Sequence, residues 1–575
     1  MSRSADRILD NYADWVRDHD TLAAADRAAI AAHDLAFRPL VSLLLPLGFG
    51  LPDGAMRTVA SVQRQLYPRW QLCAAGDAAG LADVAEPRLC RATHHPAADV
   101  AQAVNAALGA AEGAFVAILR PGDTLPEHAL FEVAAALGAA PETDLLYTDE
   151  DLIDWQGVRS APRFKTGWDP DLMLAMDGVG SLAVWRRETL LALGGLRDGF
   201  GRAAEYDLAL RAMATLSPER IRHLPAVLCH RPAEAAPNLH KRMFGDDAGH
   251  ARRAVQEVLG EAARIVPAPL WPQANRVIWR LPVTPPLVSI IIPTRDRAAL
   301  LVPCAWSVLR RTDYSALELI IVDNDSTEEL TAQALRDLAA DPRVRVLRHP
   351  GTFNFAAINN AAVAEAKGEI VVLLNNDVEV IDPGWLGELV GHALRPDVGA
   401  VGPKLLYGDG SLQHAGIVFG PGIAATHMLR LASRSDPGYD GQVAVTRSML
   451  AVTGACLALR RAVFAEAGGF NAAHFAIAFN DLDLCLRLGE LGYRVVFTPF
   501  AELFHLESQS RGRPETPAAM AQEEREVASL WYGWRHVFSA DPFHNPNLTC
   551  AWDDPLRLSP PRRPRPWHIE TPETV

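Results

Sequence analysis

Polar side chains follow three apolar runs in the second half of this chain, at the points where the runs end. They are Thr294 and Asp296, preceded by Pro293, then Asp323 after the run 317–322, and Asn375, Asn376 and Asp377 after the run 370–374. Short apolar runs that alternate with helical patterns predict strands of a parallel sheet. Because ligands bind beyond the carboxyl ends of such strands, we expect these residues to line one cleft. Each group taken alone also fits a loop or a helix cap.

A second polar group opens a helical pattern later in the chain. Asn480, Asp481 and Asp483 begin a segment whose leucines recur with helical spacing. A positioned carboxylate can act as a general base, although aspartate near a helix N-terminus is also a good cap. His505 follows a further apolar run, where it is either a ligand or a buried histidine with satisfied hydrogen bonds.

The length and composition limit the number of domains and the classes of protein to which the chain could belong. A chain of 575 residues exceeds what one hydrophobic core supports, so we expect two or three domains. The net charge of −14 disfavours non-specific binding to nucleic acid, and we predict no nucleic-acid partner. The seven cysteines are scattered and form no CxxC pair, which predicts a reducing compartment and no zinc site.

The N-terminal segment and the longest apolar run are the features of the sequence from which we predict localisation. The opening MSRSADRILDNYADW has no apolar core of a signal peptide. The longest apolar run, SLLLPLGFGLP at 42–52, is too short to span a bilayer. We therefore predict a cytoplasmic protein, and peripheral association with the inner membrane is compatible with this sequence.

The chain contains an internal repeat. The run LVSLLLP at 40–46 returns as LVSIIIP at 287–293, and each is followed by a helix, a strand, an alanine-rich helix and a buried strand. A Gly-Gly pair, an acidic-x-Asp pair and a late histidine also recur in the same order. Strands that alternate with helices predict parallel βαβ units and an α/β fold.

These patterns divide the chain into five parts. Residues 1–38 form a helical N-terminal segment, and residues 39–255 and 285–515 form two related α/β domains. A proline-rich linker, 256–284, joins them. Residues 516–575 add a helix and a Pro/Arg-rich tail, for which the composition predicts low order.

The second copy resembles the family-2 glycosyltransferases, which have the GT-A fold. The resemblance is carried by SIIIPTRDR (289–297), LIIVDNDS (319–326), NFAAINNAAVAEAKGE (354–369), VVLLNNDVEV (371–380), FNDLDLCLRLGELGYRVVFTP (479–499) and ELFHLESQSRG (502–512). It implies two tandem GT-A-like domains, which are Rossmann-like domains of the nucleotide-diphospho-sugar transferase type. It also implies transfer of a sugar from a nucleotide diphosphate to an acceptor hydroxyl, with inversion at the anomeric carbon and a need for Mg²⁺ or Mn²⁺.

The resemblance further implies the roles of individual residues. Asp377 takes the metal-binding place of the family's DxD-like motif, and His505 completes the metal or diphosphate site. One carboxylate suffices, because Mg²⁺ and Mn²⁺ prefer oxygen ligands and the diphosphate supplies the rest. Asp481 becomes the general base, and Asn480 and Asp483 support the start of its helix.

Other residues are implied in binding the nucleotide sugar. They are Pro293, Thr294, Asp296, Asp323, Asn360, Asn375 and Asn376. Two positions depart from the family's pattern, since Asn375 stands where aspartate is usual and Asn359 replaces an arginine beside Asn360.

The first copy lacks most of these residues. Arg120 and Gly122 fill its two DxD places, and Asp123 falls one place later. An arginine there would repel a cation. Of the downstream set it keeps Glu205, Asp207 and His230. We interpret the first copy as a degenerate domain that has lost donor and metal binding; the alternative is that Asp123 shifts to ligate the metal.

Two functions from different classes fit the sequence. The first is a metal-dependent hexosyl- or deoxyhexosyltransferase of bacterial surface-polysaccharide (O-antigen-like) biosynthesis, which takes a nucleotide-sugar donor and a glycan or lipid-linked glycan acceptor. The second is a non-catalytic scaffold that binds sugar nucleotides in a glycan assembly complex. The retained Asp377, Asp481 and His505 favour the enzyme. A nucleotidyltransferase shares the α/β cleft, but no glycine-rich phosphate loop supports it.

Overall fold

The computed structural model describes residues 11–49, 53–77, 81–92, 99–235, 248–420, 423–506, 516–550 and 557–568. The end of the last motif, 507–512, lies outside these residues. The described chain folds into two mixed sheets flanked by helices, together with two separate hairpins. The predicted α/β class is confirmed.

The first sheet consists of β1 to β8. Their bounds are β1 Val41–Pro46, β2 Trp70–Ala75, β3 Leu89–Arg91, β4 Phe115–Ile118, β5 Leu145–Ile153, β6 Arg159–Arg163, β7 Val184–Arg186 and β8 Ile221–Pro232. They lie in the order β3-β2-β1-β4-β7-β5-β6, and β8 pairs with β5 in parallel. β1 and β4 are buried along their whole length, as expected for strands covered by helices on both faces.

Helices precede and cover this sheet. They are α1 Tyr12–His19, α2 Ala24–Ala32, α3 Gly54–Gln63, α4 Val100–Gly109, α5 Ala129–Ala139, α6 Pro170–Ala175, α7 Arg187–Ala192, α8 Ala204–Met213 and α9 Ala248–Leu259. The first two supply the helical structure that the sequence predicts for the N-terminal segment.

The segment predicted to be a linker is ordered. After α9 it forms an antiparallel hairpin of β9 Ala263–Ala268 and β10 Trp271–Trp279, in which Trp271 is 2% exposed. Its prolines suggested a linker, but proline is tolerated at the edge of a sheet, and a two-stranded hairpin has only edges. The proline-rich segment therefore packs as part of the fold.

The second sheet lies beyond this hairpin. Its strands are β11 Val288–Thr294, β12 Leu317–Asp323, β13 Val344–Arg348, β14 Ile370–Leu374, β15 Val378–Val380, β16 Val398–Leu406, β17 Leu412–His414, β20 Arg447–Met449, β21 Cys456–Arg460 and β22 Arg494–His505. The order is β13-β12-β11-β14-β21-β16-β22-β15, with β17 paired to β16 and β20 paired to β22. β18 Ile417–Gly420 and β19 Ile423–His427 form a separate hairpin.

The helices of this half follow the predicted alternation. They are α10 Ala298–Arg311, α11 Glu329–Leu338, α12 Phe355–Glu365, α13 Trp385–Ala393, α14 Arg461–Glu466, α15 Asn480–Glu490 and α16 Pro517–Phe538. No helix in the described ranges is both long and apolar enough to cross a bilayer.

The two sheets share one strand order. The series β3-β2-β1-β4-β7-β5 corresponds to β13-β12-β11-β14-β21-β16, and β8 and β22 pair in parallel with β5 and β16. The internal repeat therefore extends from sequence to topology, and we call the two halves the first and the second repeat.

The repeats meet at a buried boundary. Ala444 and Val445, from the second repeat, lie in the apolar core of the first. Asp169 of the first repeat accepts hydrogen bonds from both the backbone N–H and the hydroxyl of Ser448, each at 2.7 Å. The first repeat therefore supports the segment around β20.

The C-terminal tail packs against the first repeat. Trp567 is 3% exposed and donates from its indole nitrogen to Asp26 at 2.8 Å, while Arg563 pairs with Glu132 at 2.5 Å. The predicted low order is wrong for residues 557–568, because these side chains find buried carboxylate partners.

Candidate active site

Three strand ends form one edge of the second sheet. β11 lies between β12 and β14, and Thr294 at its end is in register with Asp323 at the end of β12. Asn376, just past β14, donates from Nδ2 to Thr294 Oγ1 at 3.1 Å. Pro293 lies buried one place before Thr294. Because parallel strands end at a common edge, the structure brings these four predicted residues together.

Two nearby carboxylates shape the loops of this edge. Asp296 has φ of 56°, and its Oδ1 accepts the backbone N–H groups of Thr327 and Glu328 at 2.7 and 2.9 Å. The Glu328 N–H is the largest influence that lowers the pKa of Asp296. Asp323 Oδ1 accepts the N–H of Ser326 at 3.1 Å. Both carboxylates therefore hold the loops at this edge of the sheet.

Asp377 and His505 meet at the pairing of β15 with β22. Val378 pairs with His505 in antiparallel register, which sets Asp377 Oδ1 3.3 Å from His505 Nε2. The other ring nitrogen, Nδ1, lies 2.7 Å from Gln413 Oε1 and donates to it. Asn375 Nδ2 lies 3.4 Å from Nε2. With its proton on Nδ1, neutral His505 presents the Nε2 lone pair towards Asp377.

This pair fits a divalent cation. Where Nε2 carries no proton, its lone pair and the carboxylate oxygen 3.3 Å away repel each other, and a cation between them would relieve this repulsion. Adjacent ligands of an octahedral ion, each at about 2.1 Å, lie about 3.0 Å apart, close to the observed spacing. Among the residues described, no three His, Cys, Asp or Glu gather to hold a metal alone. These two ligands therefore suit Mg²⁺ or Mn²⁺, with phosphate oxygens and water as the remaining ligands.

Asp481 lies in the first turn of α15. Its Oδ2 accepts the N–H of Gly454 at 2.6 Å, and its Oδ1 accepts the N–H of Leu482 at 2.9 Å. Burial raises the pKa of Asp481, and the backbone donors offset this only in part. Since a general base works best when its pKa approaches the working pH, this environment suits proton abstraction. Asn480 is buried, and it donates from Nδ2 to the Ile477 carbonyl at 3.1 Å, which holds the start of the helix.

One loop holds both halves of the site. This loop, residues 453–455, donates to Asp481 through Gly454, and the carbonyl of the next residue, Ala455, accepts the N–H of Asn375 at 2.9 Å. The side chain of Thr453 also bonds to Asp481 and lowers its pKa. A movement of the 453–455 loop would therefore displace Asp481 relative to the strand ends.

Asp483 has structural partners. It accepts from Arg487 Nε at 2.9 Å and from Trp534 Nε1 at 3.2 Å. The first repeat has the same arrangement, in which Arg211 Nε donates to Asp207 at 3.0 Å. In each repeat the arginine also donates to two carbonyls at the Gly-Gly turn. These contacts favour the supporting role predicted for Asp483.

Asn360 lies in α12 and holds the backbone of Phe470. Its Nδ2 donates to the Phe470 carbonyl and its Oδ1 accepts the Phe470 N–H, both at 2.8 Å. In the first repeat Asn105 clamps Leu196 in the same way, at 2.8 and 2.9 Å. Because the clamp also occurs in the repeat without the donor-site residues, these contacts favour a structural role for Asn360.

In the first repeat an ion pair fills the corresponding place. Arg120, at the position of Asn375, pairs at 2.7 Å with Glu205, at the position of Asp481. Asp123 is 3% exposed and accepts the Arg120 N–H at 3.2 Å, and burial raises its pKa to about 6. His230 is bound to Asp151 at 2.6 Å. These contacts favour a degenerate first repeat over a metal site at Asp123.

Sequence reasoning missed Gln413 and the 453–455 loop. Gln413 lies 92 positions before His505, and only the pairing of β17 with β16 brings it near the end of β22. The signal in the sequence was the polar pair Gln413-His414 inside the otherwise apolar stretch SLQHAGIVFG. Threonine and glycine at 453–454 carried no such signal, because they contribute mainly through backbone N–H groups.

Comparison with known proteins identifies the class. Residues 289–468 match the family model described as glycosyl transferase family 2. This range contains all three strand ends and Asp377. The match to glycosyl transferase family 2 therefore covers most of the second repeat, and the predicted resemblance is confirmed.

Relatives extend the likeness to the first repeat. The O-antigen biosynthesis protein RfbC of Myxococcus xanthus is 40% identical over 571 residues, which are 96% of this chain and 44% of that protein. An uncharacterized protein, y4gI, of Sinorhizobium fredii is 38% identical over 574 residues, 97% of this chain and 62% of its own. An N-acetylglucosaminyl-diphospho-decaprenol L-rhamnosyltransferase of Mycobacterium tuberculosis is 27% identical over 241 residues, 38% of this chain and 76% of its own. The chain spans about half the length of the first two relatives.

Proposed function

We propose that the second repeat is an inverting glycosyltransferase that moves a sugar from a nucleoside-diphosphate donor to an acceptor hydroxyl, with Mg²⁺ or Mn²⁺ as cofactor. The observation that carries this proposal is the placement of the Asp377–His505 pair and the Asp481 carboxylate around one loop. A cation-binding pair and a separate base are the two groups that such a transfer requires.

The donor would lie along the edge formed by β11, β12 and β14. Thr294, Asp323 and Asn376 offer hydroxyl, carboxylate and amide groups to the nucleoside, and Asp377 and His505 would hold the cation. That cation, when bound, neutralises the charge on the departing diphosphate. Gln413 fixes the His505 tautomer, so that Nε2 stays available as a ligand.

Asp481 would take the proton of the acceptor. In an inverting transfer the hydroxyl oxygen bonds to the anomeric carbon on the face opposite the diphosphate, whose bond to that carbon breaks. The hydroxyl proton passes to a carboxylate oxygen of Asp481, which is oriented by Gly454 and Leu482. A base in this position contributes about 10²–10⁴-fold to the rate.

The proposed pathway is bacterial surface-polysaccharide biosynthesis. RfbC of Myxococcus xanthus is named for O-antigen biosynthesis, and its likeness covers almost all of this chain. We take the acceptor to be a glycan or a lipid-linked glycan, and the protein to act in the cytoplasm. A lipid-linked acceptor would bring it to the inner membrane, so peripheral association there belongs to the proposal. We propose no nucleic-acid partner, because the net charge of −14 disfavours non-specific binding to nucleic acid.

The test is nucleoside-diphosphate release from a panel of UDP-, GDP- and dTDP-sugars with an acceptor mixture, in Mn²⁺ and in chelator. Wild type is expected to turn over a donor only with the cation. Asp377→Ala and Asp481→Asn should abolish most turnover, whereas Asp123→Asn, the matched change in the first repeat, should retain it. Binding of a donor by wild type without any turnover would instead favour the scaffold, and full turnover by Asp377→Ala would contradict the proposed site.

A further inference from the structure

Two further histidines lie beside the loop that holds Asp481. His414 ends β17 and is 0% exposed, and His427 ends β19 in the neighbouring hairpin. Their Nδ1 atoms are 2.9 Å apart, and their rings stand at 77° to each other. At this distance one Nδ1 carries a proton and donates it to the other.

Backbone donors decide the direction of this hydrogen bond. His414 Nε2 accepts from the N–H of Gly416 at 3.3 Å and from the N–H of Thr453 at 3.4 Å. The proton of the neutral ring is therefore on Nδ1, and His414 donates to His427. Burial, and then the nearby His427 and His505, lower the pKa of His414, so the neutral form is the stable one.

We propose that His414 and His427 are positioning residues, a neutral imidazole pair that fixes the 453–455 loop and, through it, the Asp481 carboxylate. The connection is short, because Thr453 donates to His414 and the next N–H along the chain, from Gly454, donates to Asp481 at 2.6 Å. The role of the pair in turnover rests on the proposed function of Asp481 as the base.

Three substitutions separate this role from folding. In His414→Gln an amide oxygen reaches the former place of Nε2 and keeps an acceptor for Thr453. In His414→Asn the shorter amide reaches only the place of Nδ1, and His414→Ala removes both groups. We expect the Asn and Ala variants to lower kcat about tenfold, as one lost hydrogen bond typically does, and the Gln variant to restore most of it.

The acid limb of the pH profile of kcat/KM is the decisive readout. When Gly454 no longer holds Asp481, the carboxylate loses a donor and its pKa rises. The limb should therefore move to higher pH in His414→Ala and His414→Asn, but not in His414→Gln. Asn105→Ala loosens a clamp in the first repeat and should lower the melting temperature while the limb stays in place. An unmoved limb in His414→Ala, or an equal shift in Asn105→Ala, overturns the proposal.

Histidine ¹⁵N NMR tests the pair without any turnover. The resonances that disappear in His414→Gln belong to His414. In wild type at neutral pH they should show a protonated Nδ1 and an unprotonated Nε2. A proton on Nε2 of His414, or a doubly protonated ring, contradicts the pair. Failure of the proposed function would instead appear as a wild-type protein that turns over no donor, with the histidine tautomers as stated.

Discussion

Three carboxylates of the second repeat have different partners, and the partners separate their roles. Asp377 faces Nε2 of His505, Asp481 accepts backbone N–H groups in a partly buried place, and Asp483 is bound by an arginine and a tryptophan. The sequence motifs singled out all three and His505, and the family resemblance implied their roles. It could not predict Gln413, since that contact depends on which strands pair across a long stretch of sequence.

Asp481 and Asp483 provide a matched pair of changes on one helix. Asp481→Asn should lower kcat about 10²–10⁴-fold with little change in stability, because it removes only the base. Asp483→Asn should lower the melting temperature, because Arg487 loses a buried partner. Steady-state kinetics and thermal unfolding distinguish the two, and equal kinetic losses in both variants would contradict the assignment.

The same assignment predicts the pH dependence of wild type. The base must be ionised, so kcat/KM falls as the pH drops through the pKa of Asp481. Because burial raises that pKa, the acid limb should lie above the range of an exposed aspartate. Asp481→Asn should lose this limb from its residual activity.

In the proposed metal site, Gln413 accepts the Nδ1 proton of His505 and so leaves Nε2 to bind the cation. Gln413→Leu removes the acceptor of the Nδ1 proton, and cation affinity should fall about 10–100-fold, as for other residues that orient metal ligands. Titration of Mn²⁺ by electron paramagnetic resonance, with donor nucleotide present, measures this. Gln65→Leu, at a buried glutamine of the first repeat, is the control and should leave the affinity unchanged.

At the scale of elements, the two repeats share the asparagine side chain that holds the backbone of Leu196 or Phe470, which we call the asparagine clamp, and they differ at their strand ends. The asparagine clamp and the Asp–Arg pair occur in both, whereas the strand-end groups Thr294, Asp323 and Asn376 belong to the second repeat. Periodicity predicted these strands and helices well, because buried parallel strands read as continuous apolar runs. It failed for β9 and β10, whose prolines are compatible with both a linker and an edge strand.

The clamps carry a stability prediction. Asn360→Ala and Asn105→Ala each remove two hydrogen bonds and leave a buried backbone N–H and carbonyl unsatisfied, which costs about 1–3 kcal/mol for each such group. Chemical denaturation should show similar losses in both variants. Donor affinity should be unchanged in Asn360→Ala. A loss of donor binding in this variant would show that Asn360 takes part in binding the nucleotide.

At the scale of the molecule, the first repeat acts as a structural partner of the second. Asp171 is 3% exposed and pairs with Arg395 at 2.5 Å and with Arg494, both from the second repeat. Burial raises the pKa of Asp171, but the two arginines outweigh it and hold the pKa below its usual range. The sequence revealed the repeat but not this boundary, since nothing in either copy alone shows which surfaces meet.

Substitution of Asp171 tests the boundary. Asp171→Asn leaves two arginines poorly paired and should cost about 3–5 kcal/mol of unfolding free energy at neutral pH. With a lowered folded-state pKa, the contribution of Asp171 is present at neutral pH and is lost as the pH falls through that pKa. Asp397→Asn is the matched control, because its side chain contacts the same arginines but is half exposed. Equal losses in both variants would contradict a buried boundary.

The central claim is that one donor site exists, in the second repeat, and that it needs a cation. Calorimetric titration of the whole chain with the nucleoside diphosphate of its donor, in Mn²⁺, tests this most directly. We predict one nucleotide per chain, binding that chelator abolishes, loss of binding in Asp377→Ala, and retention in Asp123→Ala. Two nucleotides per chain, or binding that survives Asp377→Ala and is lost in Asp123→Ala, would contradict the account.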